Sequence, residues 1–112
     1  MINIKLYWED KFLRGIESRG HSGYAERGDD IVCAAVSSLV QALLLGLDEI
    51  AKIKGLEYEI DDQVPLIKIF WPSEQAESLD LLTRSVALSL KAIADGDGRD
   101  YVNVIDIGGK KL

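Results

Sequence analysis

The sequence predicts an α+β fold in which two helices pack on a mostly antiparallel sheet, as a two-layer domain in the order ββαββαβ. Two long segments have apolar residues at three- and four-residue spacing, which is the period of a helix. Five short segments between and around them are rich in the β-branched and aromatic residues that suit strands. The chain has 112 residues and is 47% hydrophobic, so we expect a single domain over residues 1–112.

The chain opens with a predicted β-hairpin. Ile2, Ile4 and Leu6 alternate with less apolar neighbours, which is the two-residue period of a half-buried strand. The segment WEDK is typical of a tight turn, and residues 12–18 are expected to form the returning strand.

The strongest helix is predicted in the segment DDIVCAAVSSLVQALLLGLDEIAKI. Asp29 or Asp30 is expected to cap its start, and Gly55 to follow its end. Further apolar residues broaden its stripe until little polar surface remains in the first half. We therefore expect a largely buried helix, covered by the sheet on one side and by a second subunit on the other. The predicted stripe comprises Ile31, Ala35, Leu39, Ala42, Leu43, Leu47 and Ile50.

The second half of the chain predicts a hairpin, a helix and a last strand. LEYEI and PLIKIFW flank a turn around DDQ, and YVNVIDI is the final strand. Ser73 is expected to cap a helix over residues 76–94, which DGDGRD ends. Its predicted core stripe comprises Leu79, Leu82, Val86, Leu90 and Ile93.

The net charge limits the classes of partner. With 13 basic and 19 acidic residues the formal charge is −6, which disfavours direct nucleic-acid binding because that needs clustered Lys and Arg. The charge is compatible with a basic protein or peptide as partner, although acidity also simply keeps a protein soluble. No uninterrupted apolar run reaches the length that spans a bilayer, and the first residues do not resemble a signal peptide. We expect no membrane partner and a cytoplasmic location.

Cysteine and histidine counts exclude some site types. The single Cys and single His rule out an intramolecular disulfide framework and are too few for a structural zinc site, so no metal or cofactor is expected. DGDGRD resembles the start of a calcium loop, but Arg99 and Asp100 stand where an EF-hand needs an oxygen ligand and a glycine. A helix stop followed by a turn explains this segment better.

The only histidine and the only cysteine lie within residues 20–37, GHSGYAERGDDIVCAAVS. A lone Cys in an apolar helix is usually an inert core residue, and a lone loop His is usually solvated. If an aspartate caps the helix, however, Cys33 falls in the first turn, where the helix dipole and free N–H groups stabilise a thiolate and an oxyanion. Gly20, Gly23 and Gly28 would let the loop fold back and bring His21 to the sulfur as a general base.

Two further residues have alternative roles. Asp30 either caps the helix or orients His21, and capping is the simpler explanation for an acidic residue here. Ser37 follows Cys33 by one turn on the same face, where its hydroxyl either supports the site or bonds to the preceding turn.

The same stretch resembles the signature of the ribosomal-processing cysteine protease family (Prp), in which G-H-x-G-Y-A is followed by G-x-D-I-V-C-A-A-V-S. Residues 20–25 and 28–37 match these two segments. The resemblance implies a cysteine endopeptidase with His21 as general base and Cys33 as nucleophile, Asp30 as the capping or orienting residue and Ser37 in a supporting role. As a hypothesis, the loop from Gly20 to Gly28 binds the substrate and becomes ordered only around the peptide. Its predicted substrate-loop residues are Gly20, Ser22, Gly23, Tyr24 and Gly28.

The resemblance further implies a substrate. Members of the family remove an N-terminal extension from ribosomal protein number twenty-seven of the large subunit, cutting after two aromatic residues and before a small residue and a lysine-rich segment. They form homodimers. Two alternative functions remain on the residues alone: a non-catalytic dimeric ribosome-associated binding module, and a thiol-based sensor of redox or acylation chemistry.

Overall fold

The computed structural model describes residues 1–20 and 27–109, with the backbone alone for residues 27–30. Within these residues the order is ββαββαβ, and the predicted fold class is confirmed. A π-helical turn, Gly46–Ile50, continues the first helix, and a short 3₁₀ turn, Ser73–Gln75, precedes the second. The main elements are β1 (Ile2–Glu9), β2 (Phe12–Arg19), α1 (Arg27–Leu45), β3 (Glu57–Asp61), β4 (Leu66–Phe70), α2 (Asp80–Asp95) and β5 (Val102–Ile107).

The five strands form one mixed sheet in the order β3-β4-β2-β1-β5. Three neighbouring pairs are antiparallel, whereas β1 and β5 are parallel. β5 can be parallel to β1 because the chain reaches it through α2, whereas a tight hairpin can only reverse the chain. Both predicted hairpins, β1–β2 and β3–β4, are confirmed.

The core lies between the sheet and the two helices. Ile2, Ile4 and Leu6 are buried, as their alternation predicts, and Ile16 and Ile69 continue this inner face across β2 and β4. Burying each such side chain contributes about 1.5–3 kcal/mol. The helices complete the same cluster with Val32, Val36, Val40, Leu43, Leu47, Val86, Ala87 and Leu90.

The predicted buried stripe of α1 is right for Leu43 and Leu47 but wrong at its two ends. Ile31 and Ile50 are 67% and 84% exposed, whereas Val32, Val36 and Val40 are at most 5% exposed. Successive helical residues are about 100° apart, so in the first half of α1 the buried stripe is displaced by one residue from the predicted one. In a segment apolar on nearly every side, hydropathy alone cannot choose between adjacent stripes.

The segment Ile31–Ile50 also has the length and composition to cross a membrane, with a mean hydropathy of 1.9. Length and composition alone do not identify a membrane span, because the core helix of a globular domain meets the same two criteria. The buried side of this helix, with Val36 and Leu43, is packed in the domain core.

The start of α2 differs from the prediction. The helix begins at Asp80, and Ser73 does not cap it, because its hydroxyl donates a hydrogen bond to Oε1 of Glu9 at 2.5 Å. This hydrogen bond, together with the neighbouring Arg14, lowers the pKa of Glu9. Leu82, expected in the core, is 42% exposed, whereas Val86 and Leu90 are buried as predicted.

Adding a methyl group at two different glycines should change the stability of the fold in opposite directions. A Cβ at Gly15 would lie 2.4 Å from the Phe70 ring and 2.9 Å from the Ile69 carbonyl oxygen, which is held in the sheet. We expect Gly15→Ala to lower the free energy of unfolding by about 1–3 kcal/mol. A Cβ at Gly46 would contact only Leu82, at 3.7 Å, so Gly46→Ala should raise the free energy of unfolding by about 0.5–1 kcal/mol. Urea unfolding measures both, and equal effects would contradict the packing described here.

Candidate active site

A cleft of about 580 Å³ lies between α1 and the side of the sheet formed by β2, β3 and β4. Cys33 is on its wall. The other lining residues are Ile2, Ser18, Gly20, Val36, Ser37, Gln41, Leu44, Leu45, Ile60, Asp61, Asp62, Pro65, Leu66 and Ile67. The cleft therefore joins the predicted nucleophile to residues from four separate parts of the chain.

Cys33 occupies the second turn of α1, and the expected first-turn position is wrong. The helix begins at Arg27, so Asp29 and Asp30 lie within its first turn and neither is the N-cap residue. The N–H groups without an intrahelical acceptor end at residue 29, and the dipole effect falls off within that turn. Helical side chains tilt toward the N-terminus, so the half-buried thiol is still directed back toward these groups.

A polar stripe continues from Cys33 along α1. Ser37 and Gln41 follow at four-residue intervals, and both line the cleft with Cys33. Four-residue spacing puts side chains on one helix face, and three such positions span about 12 Å of the axis. The stripe was visible in the sequence as polar residues within an apolar helix, but sequence reasoning singled out Ser37 and missed Gln41.

Gly20 brings the end of β2 into the cleft. Its φ is +93°, in the region that favours glycine, and an added Cβ would lie 2.8 Å from the Met1 carbonyl oxygen. Its N–H donates to the Pro65 carbonyl oxygen at 2.9 Å, which ties the end of β2 to the segment between β3 and β4. A glycine is therefore required where the chain leaves the sheet.

The remaining predicted loop residues are described only in part. His21, Ser22, Gly23 and Tyr24 lie outside the described residues, as does the side chain of Asp30. Gly28 is a residue of α1, so its predicted place in the loop is wrong. Gly28 is helical because α1 begins at Arg27, before the aspartates that were expected to cap it.

Sequence reasoning missed the opposite wall of the cleft. Ser18 lies on β2, and Asp61 and Asp62 are at the β3–β4 turn. These residues meet Cys33 only through the pairing of β2 with β4, which no local pattern reveals. Within residues 1–20 and 27–109, no group of three or more His, Cys, Asp or Glu side chains could hold a metal ion.

The sequence profile of the family described as "Cysteine protease Prp" matches residues 1–103. The chain belongs to this family. The family predicted from the signature is thereby confirmed, and so is the enzyme class, a cysteine protease. No curated protein sequence matches the chain significantly.

Solved structures have the same fold. Prp of S. aureus, described as an essential ribosomal processing protease in complex with a substrate peptide, has a TM-score of 0.81 at 19% identity, covering 96% of this chain and 100% of its own. A second structure of it, with a covalently linked product peptide, has a TM-score of 0.80 at 18% identity, with the same coverage of 96% and 100%. SMU.848 of Streptococcus mutans has a TM-score of 0.83 at 26% identity, covering 100% of this chain and 96% of its own.

Two adjacent serines test whether the polar stripe of α1 contributes to activity. Ser37 lines the cleft, whereas Ser38 is exposed and does not. If the Ser37 hydroxyl supports the site, Ser37→Ala should lower kcat/KM for peptide cleavage about three- to tenfold, the equivalent of one hydrogen bond. Ser38→Ala should leave it unchanged. Equal activity of both variants, with unaltered unfolding curves, would leave Ser37 no role beyond packing.

Proposed function

We propose that this protein is the cytoplasmic endopeptidase that removes the N-terminal extension of ribosomal protein number twenty-seven of the large subunit. The observation that carries the proposal is the position of Cys33 on the wall of a cleft that also includes Gly20, the residue before His21. Membership of the Prp family supports it, as do the S. aureus structures with substrate and product peptides.

The proposed reaction is acyl transfer through a Cys33/His21 dyad. His21 accepts the thiol proton, and the Cys33 sulfur attacks the scissile carbonyl carbon. When the tetrahedral intermediate collapses, the C–N bond breaks and His21 protonates the leaving amine. Water then attacks the thioester, with His21 as base, and releases the carboxylate product together with the free thiol.

Neighbouring groups have proposed supporting roles. The free N–H groups of residues 27–29 lie about one turn before Cys33, on the side toward which helical side chains tilt, and this supports a role in stabilising the oxyanion. With the N-cap role excluded for Asp30, we propose that it orients His21. The apolar part of the cleft suits the aromatic residues that precede the cleaved bond, and it comprises Ile2, Val36, Leu44, Leu66 and Ile67.

Substitution of each dyad residue tests the proposal. Cys33→Ala and His21→Ala should each reduce cleavage of a peptide carrying the extension by at least about a thousandfold, because each removes a group that acts in the transition state. Mass spectrometry of the products measures cleavage, and fluorescence anisotropy of a labelled peptide measures binding, which should be largely retained.

The outcomes separate the alternative functions. Normal cleavage by His21→Ala would overturn the dyad. Peptide binding by a wild-type protein that never cuts would favour the binding module. A thiol that is oxidised or acylated reversibly, in a protein that neither cuts nor binds the peptide, would favour the sensor.

We also propose that the protein is a homodimer that pairs through its helical layer. Large apolar side chains are exposed on the solvent side of both helices and of the π-helical turn. Exposed apolar surface of this kind favours association in soluble proteins. They are Ile31, Ile50, Leu81, Leu82 and Leu88.

A charge placed in this surface should separate the subunits. Leu81 is 86% exposed on α2, so Leu81→Glu should not disturb the core, but it should shift the monomer–dimer equilibrium toward monomer by at least tenfold. Ile105→Glu, on β5 and 41% exposed, is the matched control and should leave the equilibrium unchanged. Sedimentation velocity over a concentration series measures both, and a wild-type protein that stays monomeric would contradict the dimer.

A further inference from the structure

The described part of the Cys33 cleft is acidic. Asp61 and Asp62 are the charged side chains among its described lining residues, and no Lys or Arg is among them. The two aspartates are not equivalent. Oδ1 of Asp61 accepts hydrogen bonds from the N–H groups of Gln63 at 2.8 Å and Val64 at 3.3 Å, which holds the β3–β4 turn.

Asp62 has no comparable structural task. It is exposed, and it forms no hydrogen bond or ion pair with any residue that the structure describes. An exposed turn aspartate often serves only to form its turn, but here Asp61 already does so. The Asp62 carboxylate is therefore available to a ligand in the cleft.

The topology puts Asp62 near the nucleophile end of the cleft. The Gly20–Pro65 hydrogen bond joins the end of β2 to the β3–β4 turn, and the chain passes from this end of the sheet into the start of α1. Cys33 lies in the second turn of that helix. From Cys33 to Gln41 the wall runs about 12 Å, which an extended peptide covers with three to four residues at about 3.3 Å each.

We propose that Asp62 selects substrates with a Lys or Arg side chain within about three residues of the scissile bond, an inference that rests on the proposed protease function. The long aliphatic stem of such a side chain can lie on the apolar floor while its charged end reaches the rim. Asp62 is a specificity residue in this role and takes no part in bond cleavage.

The expected size of the effect follows from the exposure of Asp62. Exposed ion pairs contribute roughly 0–1 kcal/mol, so the preference for Lys over Gln at the selected position should be about two- to fivefold. It should shrink as salt is raised, because an exposed pair is screened.

The test uses a short peptide with two phenylalanines followed by alanine, in which a single Lys is moved from three residues before the cleaved bond to three residues after it. Each Lys peptide is compared with its Gln counterpart for kcat/KM. At one position the wild-type protein should prefer the Lys peptide to the Gln peptide. Asp62→Asn should abolish this preference. Asp62→Lys should instead prefer a peptide with Glu at that position. Asp97 is also an exposed aspartate but lies outside the cleft, so Asp97→Asn is the control and should keep the wild-type preference.

Binding of the same peptides to Cys33→Ala separates this proposal from the proposed function. If the wild type cleaves none of the peptides, the protease function fails, but a Lys preference in binding that Asp62→Asn removes would still support the role of Asp62. If the peptides are cleaved, and the Lys preference is absent or persists in Asp62→Asn, this inference is overturned while the protease function stands. A loss of preference in Asp97→Asn as well would attribute it to net charge and would also overturn the inference.

Discussion

The rotational setting of α1 on the sheet is the constraint on which the site depends. Val32, Val36 and Val40 are 5%, 1% and 0% exposed and form the helix face that belongs to the core. Each residue advances about 100° around the axis, so the stripe that begins at Cys33 lies beside the buried one, at the edge of the core. Rotation by one residue in either direction would bury the thiol or move it away from the cleft, at the cost of exposing valines.

The cleft itself exists because the helices leave one side of the sheet uncovered. Tyr58 and Ile60 lie on the inner face of β3, opposite Ile69 and Ile67, yet each is 51% exposed. The uncovered β3–β4 hairpin forms one wall and the polar stripe of α1 forms the other. The two faces of α1 therefore differ in role: the apolar face holds the fold together, and the neighbouring face lines the cleft.

The second-turn position of Cys33 changes how its reactivity is explained. If Cys33 were in the first turn, the helix dipole and the free N–H groups would strongly stabilise its thiolate, but their effect is weaker one turn further on. More of the activation then falls on a general base, which makes His21 central to the proposed mechanism.

The sequence by itself determined the element order, both hairpins, the fold class and the family, because these depend on local periodicity and on one contiguous motif. It did not determine that Val32 rather than Ile31 is buried, since both are strongly apolar and only packing against the sheet distinguishes them. Nor did it reveal the start of α2, because Ser73 bonds to Glu9, 64 residues away, instead of capping a helix. The opposite wall of the cleft, with Ser18 and Asp62, was decided by tertiary structure alone: strand pairing brings together residues that share no local pattern.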